Sequence, residues 1–370
     1  MNLLFITRRV DRNHPLAGFT WKWIKEFSVQ LSVVSGQLAV ITLEPSADEG
    51  LADNVMIRSV RKAEKNRVQD FFVFCKLLLS LIPKCDAIFI HQHPVYAIIA
   101  APFAKLFNKK IYLWYMHKHV DIKLRLATAL CNGIFTASKE SFRLKTKRPI
   151  SIVGHGIDTN IFKPSDTHTS SNVFTILSAG RLSPVKGYAV LIDAALLALP
   201  RFNNLKMRIV GGPGLKEHAW YENELKTLVH EKGLDQVIQF TGPVPHNDIV
   251  AEYRNAHVFI NLSGTGSLDK AVLEAMACGV PVITSNEAFQ GILAQIDPHL
   301  YVSCNPRAVA EAIERLITMP LEARRQLGGA LRAVVVRDHD LKQLVARILS
   351  KICPVIQHPR GRQILYTENG

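Results

Sequence analysis

A glycine-rich turn that leads from an apolar run into a helix is the strongest local pattern, in the segment GTGSLDKAVLEAMACGVPVI at 264–283. Such a turn exposes backbone N–H groups at the positive end of a helix, where a diphosphate binds well. Glu274 lies within the helix, where a carboxylate can accept hydrogen bonds from two ribose hydroxyls. The segment predicts a nucleotide site, the alternative being a capped helix packed on its sheet with Glu274 in water.

Two cations precede this turn in the segment AGRLSPVKG at 179–187. Arg181 and Lys186 follow a predicted strand and could reach the same site as the turn. Two positive charges there would neutralise a diphosphate and stabilise it as a leaving group, which is the main electrostatic demand of moving a glycosyl group from a nucleotide. Either cation alone would fit a solvated loop. Together with the turn, they predict a shared anion site.

The elements that must position these residues follow one pattern, in which short apolar, β-branched runs alternate with helical segments. We predict strands at 3–7, 38–43, 54–58, 87–91, 110–115, 133–136 and 150–153, and then at 175–179, 206–210, 237–241, 258–262, 281–284 and 300–302. Predicted helices include 190–199, 219–232, 273–278 and 340–352. The pattern predicts an α/β protein with two doubly wound, Rossmann-like domains that face each other across a cleft, where ligands bind.

Residues 153–172 lose this periodicity and are rich in Gly, Pro, Ser, Thr and Asp, which is typical of a linker. We therefore predict a first domain at 1–155, a linker at 156–172, a second domain at 173–340 and a C-terminal helix with a loosely held tail at 341–370.

The net charge of +14 is concentrated in the first half of the chain. Residues 1–165 carry 24 basic and 12 acidic side chains, whereas 166–370 carry 21 and 19. This asymmetry fits a phosphorylated substrate, an anionic membrane surface or nucleic acid. No helix-turn-helix, zinc or aromatic-platform pattern accompanies the charges, which argues against nucleic acid.

Six cysteines without a Cys-x-x-Cys pair argue against a disulfide framework or a zinc site. No apolar run is long enough to span a bilayer. We therefore expect a cytoplasmic protein that could rest on the inner face of a membrane.

Several motifs in order resemble the C-terminal half of a family 4 glycosyltransferase of the GT-B fold: VGHGIDTNIFKP, SAGRLSPVKGYAVLIDA, RIVGGPG, FTGPVP, VLEAMACGVPVI and NEAFQGIL. The resemblance covers about residues 85–350. It implies a retaining, metal-independent transferase without a cofactor, whose donor substrate is a nucleotide sugar. It also implies that Arg181 and Lys186 bind the donor diphosphate and act in catalysis, and that Glu274 binds the ribose. Gly211 and Val244, within RIVGGPG and FTGPVP, complete this part of the donor site.

The chain departs from the family at one position, because the family has a glutamate eight residues before Glu274, where Gly266 stands. Asp269 could substitute for that glutamate from a different angle. Alternatively, the donor sugar and phosphates are held by a variant loop, which we favour, formed by Gly266, Ser267, Leu268, Asp269 and Lys270.

In the first half, His117 follows a strand where related enzymes carry a histidine beside the donor sugar, and His119 competes for that role. A neutral imidazole there could bind a sugar hydroxyl. His91 in the HQH segment is interpreted as cleft lining. Two histidines without a third ligand make a poor metal site.

The loop after the first strand carries three arginines where the family has glycines, of which only Gly18 remains. Arg8, Arg9 and Arg12 could steer a phosphorylated or lipid-linked acceptor. Together with Lys22, Lys25 and the tryptophans at 21 and 23, they could also rest on an anionic bilayer. The alternative is a solvated loop followed by an amphipathic core helix.

These observations predict a hexosyltransferase-type glycosyltransferase with a nucleotide-sugar donor and a glycan or lipid-linked acceptor, in which the first domain binds the acceptor and the second binds the donor. The alternative is an acceptor-free GT-B protein, such as a nucleotide-sugar 2-epimerase, or a scaffold that only binds a sugar nucleotide. UDP- and GDP-sugars fit the sequence equally well.

Overall fold

The structure is a computed structural model that describes residues 1–12, 18–47, 49–61, 66–165, 173–213, 219–245 and 248–353. Its first sheet consists of β1 (Leu3–Thr7), β2 (Leu38–Thr42), β3 (Val55–Ser59), β4 (Ala87–His91), β5 (Lys110–Trp114), β6 (Gly133–Thr136) and β7 (Ile150–Ile152). The strand order is β3-β2-β1-β4-β5-β6-β7, and every pairing is parallel. Because parallel strands all end at one edge, the residues that follow them gather there.

Helices cover both faces of this sheet. One face is packed by α1 (Gly18–Ser32), and the other by α2 (Arg67–Leu81), α3 (Pro94–Leu106) and α4 (Ile122–Leu130). The alternation of strand side chains explains the division: Phe5 of β1 packs against Phe27 of α1, whereas its neighbour Ile6 joins the cluster that contains Phe74 of α2. None of the described helices combines the length and apolar character needed to cross a bilayer.

The second domain repeats the design. Its sheet consists of β8 (Phe174–Ala179), β9 (Leu205–Val210), β10 (Ile238–Gly242), β11 (Val258–Asn261) and β12 (Val282–Thr284), in the parallel order β10-β9-β8-β11-β12. Its helices are α5 (Tyr188–Ala198), α6 (Ala219–Glu231), α7 (Ile249–Asn255), α8 (Lys270–Ala277), α9 (Gln290–Leu293), α10 (Pro306–Thr318) and α11 (Leu321–Asp338). The prediction of two doubly wound, Rossmann-like domains is confirmed.

Two predicted elements are corrected by the structure. The strand predicted at 300–302 is wrong, because Pro298–Leu300 forms a 3-10 turn and only Tyr301 makes a single bridge to Thr284. The helix predicted at 273–278 begins three residues earlier, because the Asp269 side chain accepts a hydrogen bond from the Ala271 N–H and caps α8.

The chain passes between the domains twice, and the two passages pair with each other. The Gly156 N–H donates to the His339 carbonyl at 3.0 Å, and the Leu341 N–H donates to the Ile157 carbonyl at 2.9 Å. Gly154 has a φ of +90°, and a Cβ there would collide with the Asp338 carbonyl, so close backbone approach requires glycine.

The last described helix, α12 (Leu341–Ile352), returns to the first domain after the second passage. It packs against α1, and the Gln30 side-chain amide donates to the Lys342 carbonyl at 2.9 Å. Residues 166–172 of the predicted linker and 354–370 of the predicted tail lie outside the described residues. The predicted C-terminal segment at 341–370 therefore begins with a helix that packs on the first domain.

We predict that Gly328→Ala lowers the free energy of unfolding by about 1–3 kcal/mol, because α11 crosses the end of α8 so closely that a Cβ at Gly328 would overlap the Gly279 carbonyl. Gly329→Ala is the matched control, since nothing lies within 4 Å of a Cβ at that position. The control should be neutral or stabilising by up to about 1 kcal/mol. Denaturant unfolding measures both, and equal effects would contradict the close crossing.

Candidate functional site

A cavity of about 1360 Å³ lies between the domains, at the carboxyl ends of β8 and β9 and against α1. From the second domain it is lined by Arg181, Gly211, Val244 and Glu274 among others. From the first domain it is lined by Arg12, Gly18, Trp21, Lys22 and Lys25 among others. The structure therefore brings six of the predicted site residues to one cavity: Arg12, Gly18, Arg181, Gly211, Val244 and Glu274.

Arg181 lies on the loop after β8. The loop is positioned by the close approach of Gly180, which precedes Arg181, to Gly211 of the next loop. Gly211, at the end of β9, has a φ of +140°, and a Cβ on it would collide with the Gly180 carbonyl. Because both loops have glycine at this point, no side chain keeps a ligand away from the backbone. Arg181 is exposed in the cavity and makes no hydrogen bond or ion pair with the part of the chain that the structure describes. Its guanidinium is thus available to an anion.

Lys186 does not line the cavity, because it pairs with a carboxylate beneath the loop. Its Nζ forms an ion pair with Asp269 Oδ2, and both side chains are 13% exposed. Asn261 also donates to Asp269, at 3.2 Å. Asp269 therefore links the loop of Lys186, the end of β11 and the start of α8, which positions the turn before Glu274.

Glu274 is 5% exposed and points from α8 towards the cavity. The Tyr253 hydroxyl donates to its Oε2 at 3.1 Å, and Lys270 lies 3.4 Å from its Oε1. Burial raises the pKa of Glu274, whereas Lys270 and the Tyr253 hydrogen bond oppose that rise. The carboxylate is thus fixed in orientation from two sides.

The predicted variant loop lies away from the cavity wall. Gly266, Ser267 and Leu268 do not line the cavity, and neither do Asp269 and Lys270. A Cβ on Gly266 would collide with the Glu287 carboxylate, so the position of the family glutamate is occupied.

The space around Gly266 is filled by contacts that sequence reasoning missed, because they come from the other domain. Arg143 Nη2 lies 2.5 Å from Glu287 Oε1 and 3.4 Å from the Gly266 carbonyl. Lys118 Nζ donates to the Gly264 carbonyl at 3.2 Å. These contacts connect the turn before α8 to the first domain.

Lys22, which the sequence pattern grouped with a bilayer-facing surface, instead lines the cavity. Its Nζ is buried, has no hydrogen-bond partner among the described residues and lies 5.8 Å from the centre of the Phe162 ring. Burial, and then the charge of Lys270, lower the pKa of Lys22. The spacing of Gly18, Lys22, Lys25 and Val29 on one face of α1 could have predicted this cavity wall.

The predicted histidines lie outside the cavity wall. His91 is buried, stacks on Trp114 with ring centres 5.3 Å apart and has its pKa lowered to about 3 by burial, so its interpretation as cleft lining is corrected. His117 is exposed and packs edge-on against Tyr115, while the His119 carbonyl accepts from the Tyr115 hydroxyl at 3.0 Å. Partial desolvation lowers the pKa of His117.

The first-loop arginines divide into two groups. Arg8 pairs with Glu44 at 2.8 Å and Arg9 with Asp11 at 2.7 Å, away from the cavity wall, whereas Arg12 lines it. The prediction that tryptophans 21 and 23 rest on a bilayer is wrong, because they are 7% and 2% exposed and belong to the core. Among the described residues, no three His, Cys, Asp or Glu side chains group closely enough to hold a metal.

Comparison with known proteins agrees with this architecture. Residues 161–333 match the family described as "Glycosyl transferases group 1". The chain is 26% identical over 226 residues to the D-inositol 3-phosphate glycosyltransferase 1 of Catenulispora acidiphila, covering 58% of this chain and 53% of that one. It is 26% identical over 246 residues to a phosphatidylinositol N-acetylglucosaminyltransferase subunit of Arabidopsis thaliana, covering 62% and 53%. The chain spans about half the length of the curated relatives it matches.

Solved structures show the fold over almost the whole chain. A glycosyltransferase from Rickettsia africae ESF-5 superposes with a TM-score of 0.78 at 17% identity, over 96% of this chain and 98% of that one. Anabaena HepE in complex with UDP and glucose superposes with a TM-score of 0.70 at 16% identity, over 95% and 98%. The two facing domains therefore form the GT-B fold.

We predict that Lys22→Met raises the free energy of unfolding at neutral pH by about 1 kcal/mol, because burying an unpartnered ammonium is unfavourable. The pKa of Lys22 is lowered in the folded state, so the unfolded chain binds more protons between that pKa and 10.5. The parent protein therefore gains stability as pH rises through that window, and the advantage of Lys22→Met shrinks. Denaturant unfolding at several pH values measures this.

The exposed neighbour on α1 gives the control, since Lys25→Met should show no comparable pH-dependent difference from the parent. If the stability difference between Lys22→Met and the parent is the same across the alkaline range, the buried ammonium does not carry the effect.

Proposed function

We propose, on the premise that the matches support a group 1 glycosyltransferase, that the protein is a retaining hexosyltransferase. It moves a sugar from a nucleotide diphosphate sugar in the interdomain cavity to a phosphorylated or lipid-linked acceptor. The observation that carries the proposal is the cavity itself, into which Arg181 and Glu274 of one domain and the basic face of α1 project. The first domain binds the acceptor and the second binds the donor.

The donor diphosphate is assigned to the part of the cavity that is lined by the loops after β8 and β9. Arg181 stands there without a protein partner in the described chain, and the glycines at 180, 211 and 212 leave the backbone bare. A guanidinium forms strong, charge-assisted hydrogen bonds with phosphate oxygens. HepE, which shares the fold, was solved with UDP and glucose, and this supports a nucleotide sugar as the donor.

Glu274 is assigned to the ribose. Its two carboxylate oxygens offer about four acceptor positions, so ribose hydroxyls can bind while Tyr253 and Lys270 keep their contacts. Because Tyr253 and Lys270 hold the carboxylate in place, little side-chain entropy is lost when the hydroxyls bind.

The acceptor side of the cavity is lined by several cations, Arg12, Lys22, Lys25 and Lys342, although Glu26, Asp158 and Asp340 also line the cavity. A phosphate on the acceptor would bind to these cations by charge-assisted contacts. The names of the relatives include D-inositol 3-phosphate and phosphatidylinositol, which supports a phosphate-bearing acceptor.

The chemistry requires stabilisation of the departing nucleoside diphosphate. In the proposal, Arg181 contacts the developing charge, and no metal or cofactor is needed for that step. Lys186 acts through the Asp269 pair, which positions the α8 turn, so it is a positioning residue rather than a direct contact in this arrangement. His117 stays a proposal as the histidine beside the donor sugar: it lies outside the cavity wall, on the loop after β5, whose Lys118 donates to the Gly264 carbonyl of the turn before α8. Retention requires attack on the face from which the leaving group departs.

We predict that UDP, GDP or ADP, or one of their sugars, raises the melting temperature of the parent protein, because a ligand that binds only the folded state stabilises it by mass action. Arg181→Ala should abolish most of the shift from the diphosphate while leaving the unliganded melting temperature nearly unchanged. Arg307→Ala, which removes an exposed arginine from α10 outside the cavity, should retain the full shift. Thermal unfolding with each nucleotide measures all three proteins.

Glu274→Gln should reduce the shift from the nucleotide by a few degrees or more but preserve the shift from inorganic pyrophosphate, because the carboxylate is assigned to the ribose rather than to the diphosphate. Absence of any shift in the parent across the nucleotide panel would contradict the proposed donor site. Sugar release or isomerisation without an acceptor would instead favour the acceptor-free alternative.

A further inference from the structure

The outer surface of the first domain carries apolar side chains at helical spacing. On α2 the buried face is formed by Phe74, Leu78 and Leu81, as expected for a helix packed on its sheet. The opposite face nevertheless shows an apolar stripe at positions i, i+3, i+4, i+7 and i+11, consisting of Val68, Phe71, Phe72, Cys75 and Leu79. Phe72 is 67% exposed and Phe71 is 48% exposed. A contiguous patch of exposed apolar side chains is typical of an interaction surface, whereas single exposed apolar residues are common.

The neighbouring helices continue this stripe. On α3 the exposed apolar positions are Val95, Pro102 and Leu106, and Ile98, Ile99 and Phe103 are half-buried against the core. On α4, Ile122, Leu126 and Leu130 follow at four-residue spacing, with Ile122 66% exposed. Because α3 packs against both α2 and α4, the three stripes form one outer face of α2–α4.

The charges on these helices have one sign at the surface. Five exposed basic residues accompany the apolar side chains: Arg67, Lys76, Lys105, Lys123 and Arg125. The single carboxylate within α2, α3 and α4 is Asp70, which is buried and paired with Arg61 at 2.7 Å. An apolar surface with interspersed cations and no exposed carboxylate is complementary to anionic lipid headgroups above acyl chains.

We propose that the outer face of α2–α4 binds the surface of an anionic bilayer. The phenylalanines of α2 and the aliphatic side chains of α3 and α4 enter the headgroup region, and the five cations pair with lipid phosphates. This replaces the membrane contact expected at the tryptophans of α1, which are buried, and it stands independently of the proposed function.

The position of this face suits an enzyme whose acceptor lies in a membrane. The chain enters α3 and α4 from the carboxyl ends of β4 and β5, at the edge of the sheet that faces the second domain, with two residues before α3 and seven before α4. A bilayer on the outer face of α2–α4 would therefore lie beside the entrance to the cleft, without covering the cavity on the α1 side of the sheet.

The test is flotation of the full chain with vesicles of phosphatidylglycerol and phosphatidylcholine, and with phosphatidylcholine alone. We expect the parent to float with the anionic vesicles. Phe71→Ser/Phe72→Ser should lose most of this binding, and Lys123→Glu/Arg125→Glu should weaken it about 25-fold or more, since each basic residue near the surface contributes about fivefold. Because these side chains are exposed, circular dichroism and melting temperature should match the parent.

The matched control is Leu196→Ser/Leu197→Ser, which removes two adjacent exposed apolar side chains from α5 of the other domain and should float like the parent. The proposal is overturned if the parent stays unbound with anionic vesicles or if Phe71→Ser/Phe72→Ser floats as well as the parent. It is also overturned if light scattering shows a dimer that this variant dissociates while no vesicle binding occurs, because a second copy would then cover the face.

Discussion

The site depends on the pairing of the two chain passages that connect the domains. Residues 154–159 and 338–341 run side by side, joined by backbone hydrogen bonds and by a 2.7 Å contact from the Thr159 hydroxyl to Asp340. Arg347 adds hydrogen bonds to the carbonyls of Val153 and Asp338. Each domain has its own sheet, and this pairing, together with the Arg143 and Lys118 contacts to the α8 turn, sets the carboxyl edges of both sheets towards one gap. The shape of the cavity therefore depends on these paired passages as much as on either domain.

Within that gap, the two domains contribute groups of different character. The second domain provides fixed polar groups on its α8 turn, because the Lys186–Asp269 pair and the Tyr253–Glu274 hydrogen bond limit their movement. The first domain provides cations on a helix face, one of which, Lys22, has no hydrogen-bond partner among the described residues. A site with preoriented acceptors on one side and cations on the other favours a ligand that carries both hydroxyl donors and an anionic group.

The sequence was sufficient for the features that depend on local pattern. Apolar runs located the twelve strands of the described residues to within a residue or two, and the loop position of Arg181 after β8 followed directly from them. The error at 300–302 arose because a short apolar run also fits a 3-10 turn. The Arg143–Glu287 pair and the position of Lys22 against Lys270 and Glu274 could not be predicted, because they join residues more than 140 positions apart whose meeting depends on how the domains face each other. The burial of His91 likewise depends on α1, which places Trp23 over its ring.

Two separate surfaces of the first domain account for part of the positive charge of the first half of the chain. The first half carries nearly all of the net positive charge, and eight of its described cations form two groups. Arg12, Lys22 and Lys25 face the cavity, whereas five basic residues of α2, α3 and α4 lie on the outer face among exposed apolar side chains. The helices α1 and α2–α4 cover opposite faces of one sheet. A single domain can therefore present one cationic surface to a phosphate-bearing ligand in the cavity and another to an anionic bilayer. Simple solubility would require neither the clustering on α1 nor the exclusion of exposed carboxylates from α2–α4.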